Sequence, residues 1–259
     1  MAGLLDGRTA FITGAAGGIG LAVARAYVEQ GARVALADVA DCGPAAAALN
    51  AAWPDSAVAV PLDVTNEDAT EAALDAAEAL GPLDIAVANA GILLLRHAMD
   101  LDAAGWRRVL DVNLTGAFLT ARAAARRMAR AKRPGAILFT SSLFGLRGGV
   151  ENAAYSASKF GMIGLMQCMA AELAPAGIRV NAVCPGQMDT DMIRQLFTER
   201  AALRGVDPSA VRGELEARIP QRRLGPLDEL ADTYVYLASG MSRYVTGQSV
   251  TVDGGWTVA

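Results

Sequence analysis

Thr13-Gly14-Ala15-Ala16-Gly17-Gly18-Ile19-Gly20 stands between an apolar run, Thr9 to Thr13, and an amphipathic stretch, Leu21 to Gln30. The pattern predicts a strand, a glycine-rich turn and a helix. Glycines at 14, 18 and 20 let the chain turn sharply, approach a pyrophosphate closely and pack the helix on the sheet. The free N–H groups of the helix's first turn favour phosphate. The spacing is G-x-x-x-G-x-G and not G-x-G-x-x-G, and a tight connection without a ligand uses the same residues. The next strand, Arg33 to Ala37, ends in Asp38, twenty-four residues after Gly14. An acidic side chain there is placed to accept hydrogen bonds from an adenosine ribose.

Outward from this turn, strand-like runs alternate with longer helical patterns. The runs are Thr9 to Thr13, Arg33 to Asp38, Ala57 to Pro61, Asp84 to Asn89, Ala136 to Ser141, Arg179 to Val183 and Ser249 to Val252. Strands alternating with helices predict an α/β fold, a doubly wound parallel sheet of seven strands with helices on both faces. The alanine-rich stretches Pro44 to Ala52 and Ala69 to Ala79 favour helix. No linker, fixed-period repeat or shift in composition divides the chain, so residues 1–259 are expected to form a single domain. Its 259 residues and 53% hydrophobic content supply one such core.

The formal charge of −4 argues against a nucleic-acid surface. No uncharged apolar run reaches the roughly 18 residues of a membrane span, and Met1 leads almost directly into a strand, so a cytoplasmic protein is expected. Cys42, Cys168 and Cys184 lie far apart and are expected as reduced thiols, with neither disulfides nor a metal site. His97 is the only histidine, which excludes a multi-histidine metal cluster; a surface or subunit-contact role is expected for it.

Lys159 is one of only two lysines among 23 Lys and Arg residues, and it follows Tyr155 by four positions in Tyr155-Ser156-Ala157-Ser158-Lys159. On a helix this spacing puts phenol and ammonium on one face. A cation nearby favours phenolate, which makes the pair a proton donor and acceptor. An ordinary Tyr over a snorkelling Lys would show the same spacing.

With these residues in place the chain resembles the short-chain dehydrogenase/reductase family over essentially its whole length. The motifs come in the family's order: the Thr13 to Gly20 turn, Asp63-Val64, Asn89-Ala90-Gly91, Asn113 within Asp111 to Gly116, Ser142 thirteen residues before Tyr155, Tyr155 with Lys159, Pro185-Gly186 with Thr190, and Val252 to Gly255. Ala88 stands where the family usually has a further asparagine, which implies altered local packing and retained cofactor binding. The resemblance implies a single-domain Rossmann-type fold and transfer of a hydride between NAD and a secondary alcohol or ketone. It assigns catalysis to Asn113, Ser142, Tyr155 and Lys159. Tyr155 exchanges the proton, Ser142 donates to the reacting oxygen, Lys159 favours phenolate and holds nicotinamide ribose, and Asn113 holds a water that links Lys159 to solvent. It assigns NAD to Gly14, Gly18, Ile19, Gly20, Asp38, Asp63, Val64, Asn89, Ala90, Gly91, Tyr155, Lys159, Pro185, Gly186 and Thr190. Asp38 would repel a 2′-phosphate, and Gly17 and Val39 lack the positive charge that NADP-preferring relatives place there, which favours NAD.

The segment at about 186–225 carries seven arginines and six acids among Met188, Met192, Ile193, Leu196 and Phe197. Near-balanced charge reads as a solvated helical face, with an anion clamp as the other reading; the resemblance makes the segment a substrate lid. Leu143 to Asn152, Gly91 to His97 and the lid are expected to form the substrate pocket. There Glu151 and Asn152 would either bind extra hydroxyls or cap the coming helix. A small polyol or related secondary alcohol is the expected substrate, with a 3-oxoacyl thioester reductase and a non-catalytic NAD-binding regulator as alternatives. Phe160 to Leu173 is apolar around most of a helix, which predicts burial on its outer side too. This face, with Met166 on it and the Ala103 to Ala131 helix beside it, is expected to form a homotetramer contact, as is common in the family.

Overall fold

Seven strands, β1 (Thr9–Thr13), β2 (Arg33–Asp38), β3 (Ala57–Pro61), β4 (Leu83–Ala88), β5 (Gly135–Thr140), β6 (Ile178–Pro185) and β7 (Ser249–Val252), form one sheet in a computed structural model that describes residues 3–258. The order is β3-β2-β1-β4-β5-β6-β7 and every pairing is parallel. Central strands are buried along their whole length, β1 as TAFIT and β4 as LDIAVA, as strands covered on both faces must be.

Alternation along the strands divides the core in two. Phe11, Ala35, Ala86, Ile137 and Val180 face α3 (Glu67–Glu78), α5 (Gly116–Arg130) and α6 (Ala153–Leu173). Ile12, Leu36, Val87, Leu138 and Val183 face α1 (Gly18–Glu29), α2 (Gly43–Ala52) and α9 (Leu227–Ala238). The first three strands wind one way from β1 and the later ones the other way from β4, so the crevice for a ligand opens at the C-terminal ends of β1 and β4. A third cluster lies apart from the sheet. In it Phe197 and Ala201 of α7 (Asp191–Arg204) and Val211 of α8 (Pro208–Glu216) pack with Leu143, Ile219, Leu224 and Trp256.

Three local expectations change. Helix α1 begins at Gly18 and not at Leu21, because its first residues need only helical backbone angles and no apolar side chain. The Ala103 to Ala131 helix is interrupted: α4 (Ala103–Leu110) passes through a π turn, Asp111–Thr115, into α5, and the Gly116 N–H reaches back five residues to the Asp111 carbonyl. Met166 lies in the core with no exposed surface, so it does not belong to an outer contact face; Phe118 and Phe160, 37% and 46% exposed, do lie outward. No helix among the described residues is long and apolar enough to cross a membrane.

Candidate active site

A cavity of about 1270 Å³ follows the C-terminal ends of the strands. Gly14 ends β1 with φ +65°, and a Cβ on it would meet the Ala90 Cα at 2.8 Å, so glycine alone brings the turn this close to β4. The Asn89 amide ties the two together by donating to the Thr13 and Gly14 carbonyls at 2.9 and 3.1 Å. Gly17, Gly18 and Ile19 present the N-terminus of α1 to the cavity, and no acidic side chain occupies its first turn. Gly20 is not among the lining residues. A Cβ there would overlap the Gly14 carbonyl oxygen, so glycine is needed where the helix packs under the turn.

The Asp38 carboxylate lines the same end. Its Oδ2 accepts from the Ala16 N–H and its Oδ1 from the Ala40 N–H, both at 3.0 Å, and each oxygen retains accepting capacity. Gly17 and the exposed Val39 flank it without charge. Asp63, beside Val64, accepts from the Thr65 N–H and hydroxyl at 2.9 and 2.8 Å, and these bonds hold its carboxyl below the usual range. Ala90 and Gly91 continue the wall, as do Pro185 at the end of β6 and Gly186 and Thr190 beyond it. The Thr190 hydroxyl caps α7 by accepting from the Ile193 N–H at 3.3 Å.

Ser142, Tyr155 and Lys159 meet in the middle of the cavity. Ser142 follows β5 and its hydroxyl accepts from the Phe144 N–H at 3.1 Å. Tyr155 and Lys159 lie one turn apart on α6, with Nζ 5.5 Å from the phenol centroid, and the Phe144 ring meets Tyr155 edge-on. Burial pushes the Tyr155 phenol up, and the Ser142 hydroxyl works in the opposite direction. Burial pushes the Lys159 amine down to about 8. Nζ donates to the Thr140 carbonyl at 2.7 Å. Desolvation therefore outweighs the expected cationic help to the phenolate in this resting geometry.

Asn113 sits behind this group, fully buried in the π turn. A Cβ on Gly91 would lie 3.3 Å from Asn113 Oδ1 and 3.5 Å from Lys159 Nζ, so the two side chains converge beneath Gly91. The Asn113 amide is already engaged: Oδ1 accepts from the Ile92 N–H at 2.8 Å, and Nδ2 donates to the Ile92 carbonyl at 3.0 Å and to Ser158 Oγ at 3.1 Å.

Glu151 and Asn152 separate. Glu151 is not among the lining residues; it faces His97 at 3.5 Å on the outside. Asn152 is 6% exposed, lines the cavity and does not cap α6 with its side chain, and its buried Oδ1 has no partner among the described residues. Leu143, Val150, Met192, Ile193 and Leu196 make the outer walls apolar. Arg147, Arg200 and Arg218 also line this end, within the expected pocket segments but not singled out from sequence, and Trp256, which the sequence reading missed, joins them. Trp256 directly after Gly254-Gly255 was the one available signal.

Over residues 14–257 the chain matches the family model described as enoyl-(acyl carrier protein) reductase. It is 40% identical over 258 residues to an L-rhamnose 1-dehydrogenase (NAD(P)(+)) of Azotobacter vinelandii, covering 97% of each chain. It is 42% identical over 253 residues to a cis-4-hydroxycyclohexanecarboxylate dehydrogenase of Sinomonas cyclohexanicum, covering 96% of each. Among solved structures it is similar to a short-chain type dehydrogenase/reductase from Mycobacterium marinum, with TM-score 0.88 and 38% identity over 98% of this chain and 97% of that one.

Proposed function

The chain belongs to the short-chain dehydrogenase/reductase family, oxidoreductases acting on CH–OH groups, and we propose that it oxidises a small secondary alcohol with NAD. The observation that carries this reading is the convergence of Ser142, Tyr155 and Lys159 in one cavity with the glycine turn and Asp38. The chain fits a dinucleotide: a Cβ-free turn at Gly14, an α1 N-terminus without acidic side chains, and a carboxylate with spare acceptors at Asp38. Asp38 with uncharged neighbours favours NAD over NADP. When bound, the nicotinamide supplies the redox partner of the carbinol carbon.

The chain's own work is proton handling. Tyr155 takes the hydroxyl proton in oxidation and returns it in reduction. Ser142 donates to the same oxygen, where charge develops. Lys159, once protonated, favours the phenolate and binds ribose hydroxyls, with Asn113 fixing the wall behind it. Asn152 Oδ1 accepts from a second substrate hydroxyl, which favours a polyol or other multiply hydroxylated alcohol. The apolar walls at Leu143, Val150 and Leu196 support a second reading, a 3-oxoacyl thioester reductase.

Residues 186–225 act as a lid on a single-domain enzyme, a reading supported by the separate cluster in which α7 and α8 pack and by the side chains they add to the cavity wall. The exposed Phe118 and Phe160 support a homotetramer, and light scattering of Phe160→Glu against wild type checks it. Free thiols at all three cysteines fit the cytoplasm.

Assaying NAD reduction with polyols, cyclic alcohols and 3-hydroxyacyl thioesters tests the activity. Turnover of the small alcohols supports the proposal; turnover of thioesters alone selects the second reading, and no turnover rejects both.

A further inference from the structure

The seven arginines between Gly186 and Gly225 fall into two groups. Arg194 pairs with Asp189 and Asp191 at 3.0 and 2.7 Å, Arg204 with Glu214 at 2.7 Å, and Arg212 with Glu216 and Arg223 with Glu229 at 2.8 Å. Arg222 donates to the Ala217 carbonyl. Arg200 and Arg218 have no acceptor among the described residues, and they are the two of the seven that line the cavity.

Arg218 is also held in place. Its guanidinium lies 4.8 Å over the Trp256 ring, and Trp256 is buried and lines the cavity. Stacking fixes the plane of the fork and leaves its N–H donors free. Arg147, on the loop between Ser142 and Tyr155, adds a further cavity-lining guanidinium without a partner among the described residues. The acid on the lid side, Asp191, is tied to Arg194; Asp38 and Asp63 belong to the glycine-turn end, and Arg107 and Arg108 of α4 line the cavity with Asp111 of the π turn that follows. The lid end of the cavity is thus cationic beside apolar walls.

We infer that the alcohol oxidised here carries a carboxylate, bound by Arg200 and Arg218. Its hydrocarbon body lies along Leu143, Ile193 and Leu196, and its carbinol at Tyr155. A planar guanidinium fork matches a planar carboxylate. The inference rests on reading this cavity as the alcohol site and narrows the substrate to a hydroxy acid.

Calorimetric titration of the full chain, with and without NADH, by cyclohexanecarboxylate, cyclohexanecarboxamide and cyclohexyl phosphate tests it apart from turnover. The carboxylate is expected to bind about tenfold or more tighter than the amide. The Arg200→Met/Arg218→Met double variant is expected to lose that preference while its NADH affinity, an index of intact fold, stays within a few fold. Equal binding of acid and amide, an undiminished preference in the double variant, or tighter binding of the phosphate than of the carboxylate would overturn the assignment. Anion binding without NAD-dependent turnover of any alcohol would instead reject the proposed activity and leave the anion site standing.

Discussion

The cavity wall at the sheet and the wall at the lid are built from different material. At the sheet, the ligand-facing groups are main-chain N–H groups, glycines and short side chains at strand ends. Their positions follow from the parallel register of β1, β2 and β4. At the lid, they are long side chains of α7, α8 and the final turn, held by a small apolar cluster separate from the two large ones. A main-chain cradle recognises what every dinucleotide shares, whereas long side chains can be exchanged without disturbing the sheet. On the proposed function, cofactor binding and substrate choice reside in parts of the molecule that tolerate change very differently.

The sharpest way to break this division is at the group between the two walls. Tyr155→Phe removes only the hydroxyl, so turnover should fall by about 10² to 10⁴ while NADH affinity stays within a few fold. Parallel losses in both, read by steady-state assay and fluorescence titration, would mean that Tyr155 belongs to the binding wall.

Lys159 tests the cost of the central site. Burial lowers its amine from 10.5 to about 8, so between these pH values the unfolded chain binds more protons than the folded one and stability rises with pH. Below pH 8 the penalty is complete, on the order of 3 kcal/mol before the lost Thr140 bond is subtracted. Lys159→Met should therefore melt above wild type at pH 7, with the advantage fading toward pH 10, while activity is lost. A constant difference across pH would show that the amine is not desolvated in solution.

Gly14→Ala strains the cradle itself, through φ +65° and the Ala90 contact. It should cost about 1–3 kcal/mol of stability and weaken NADH binding. A melt unchanged from wild type would mean that the turn relaxes freely. Asp38→Ala should narrow the preference for NADH over NADPH by about tenfold, the worth of one charge-assisted interaction. Equal affinities in wild type would place the carboxylate away from ribose. The smallest effect belongs to the lid: a Cβ on Gly213 of α8 meets nothing within 4 Å, so Gly213→Ala should stabilise by at most about 1 kcal/mol without changing NADH affinity. Titration and melting of the same sample check both.

Legibility in the sequence follows the same line. The Gly14 turn, Asp38 and the Asn89 run could be read because a strand-turn-helix joint leaves glycines and an acid at set spacings. Strand limits shift by a residue or two, as with β4 at Leu83–Ala88 against Asp84 to Asn89. The π turn around Asn113 could not be read, since one extra residue in a helix leaves no mark on composition. Met166 misled for a related reason: a helix apolar on all sides does not show which side meets the sheet. Arg200 and Arg218 resemble their five neighbours in sequence, and only the fold separates those that find partners from those that face the cavity.

A crystal structure with NADH would test the account most directly. The predicted result is the adenosine ribose on Asp38, the pyrophosphate at the N-terminus of α1 and the nicotinamide ribose within reach of Tyr155 and Lys159, with Arg200 and Arg218 still open at the lid. A dinucleotide lying along Arg200, Arg218 and Trp256, or a cavity that remains empty at saturating NADH, would contradict it.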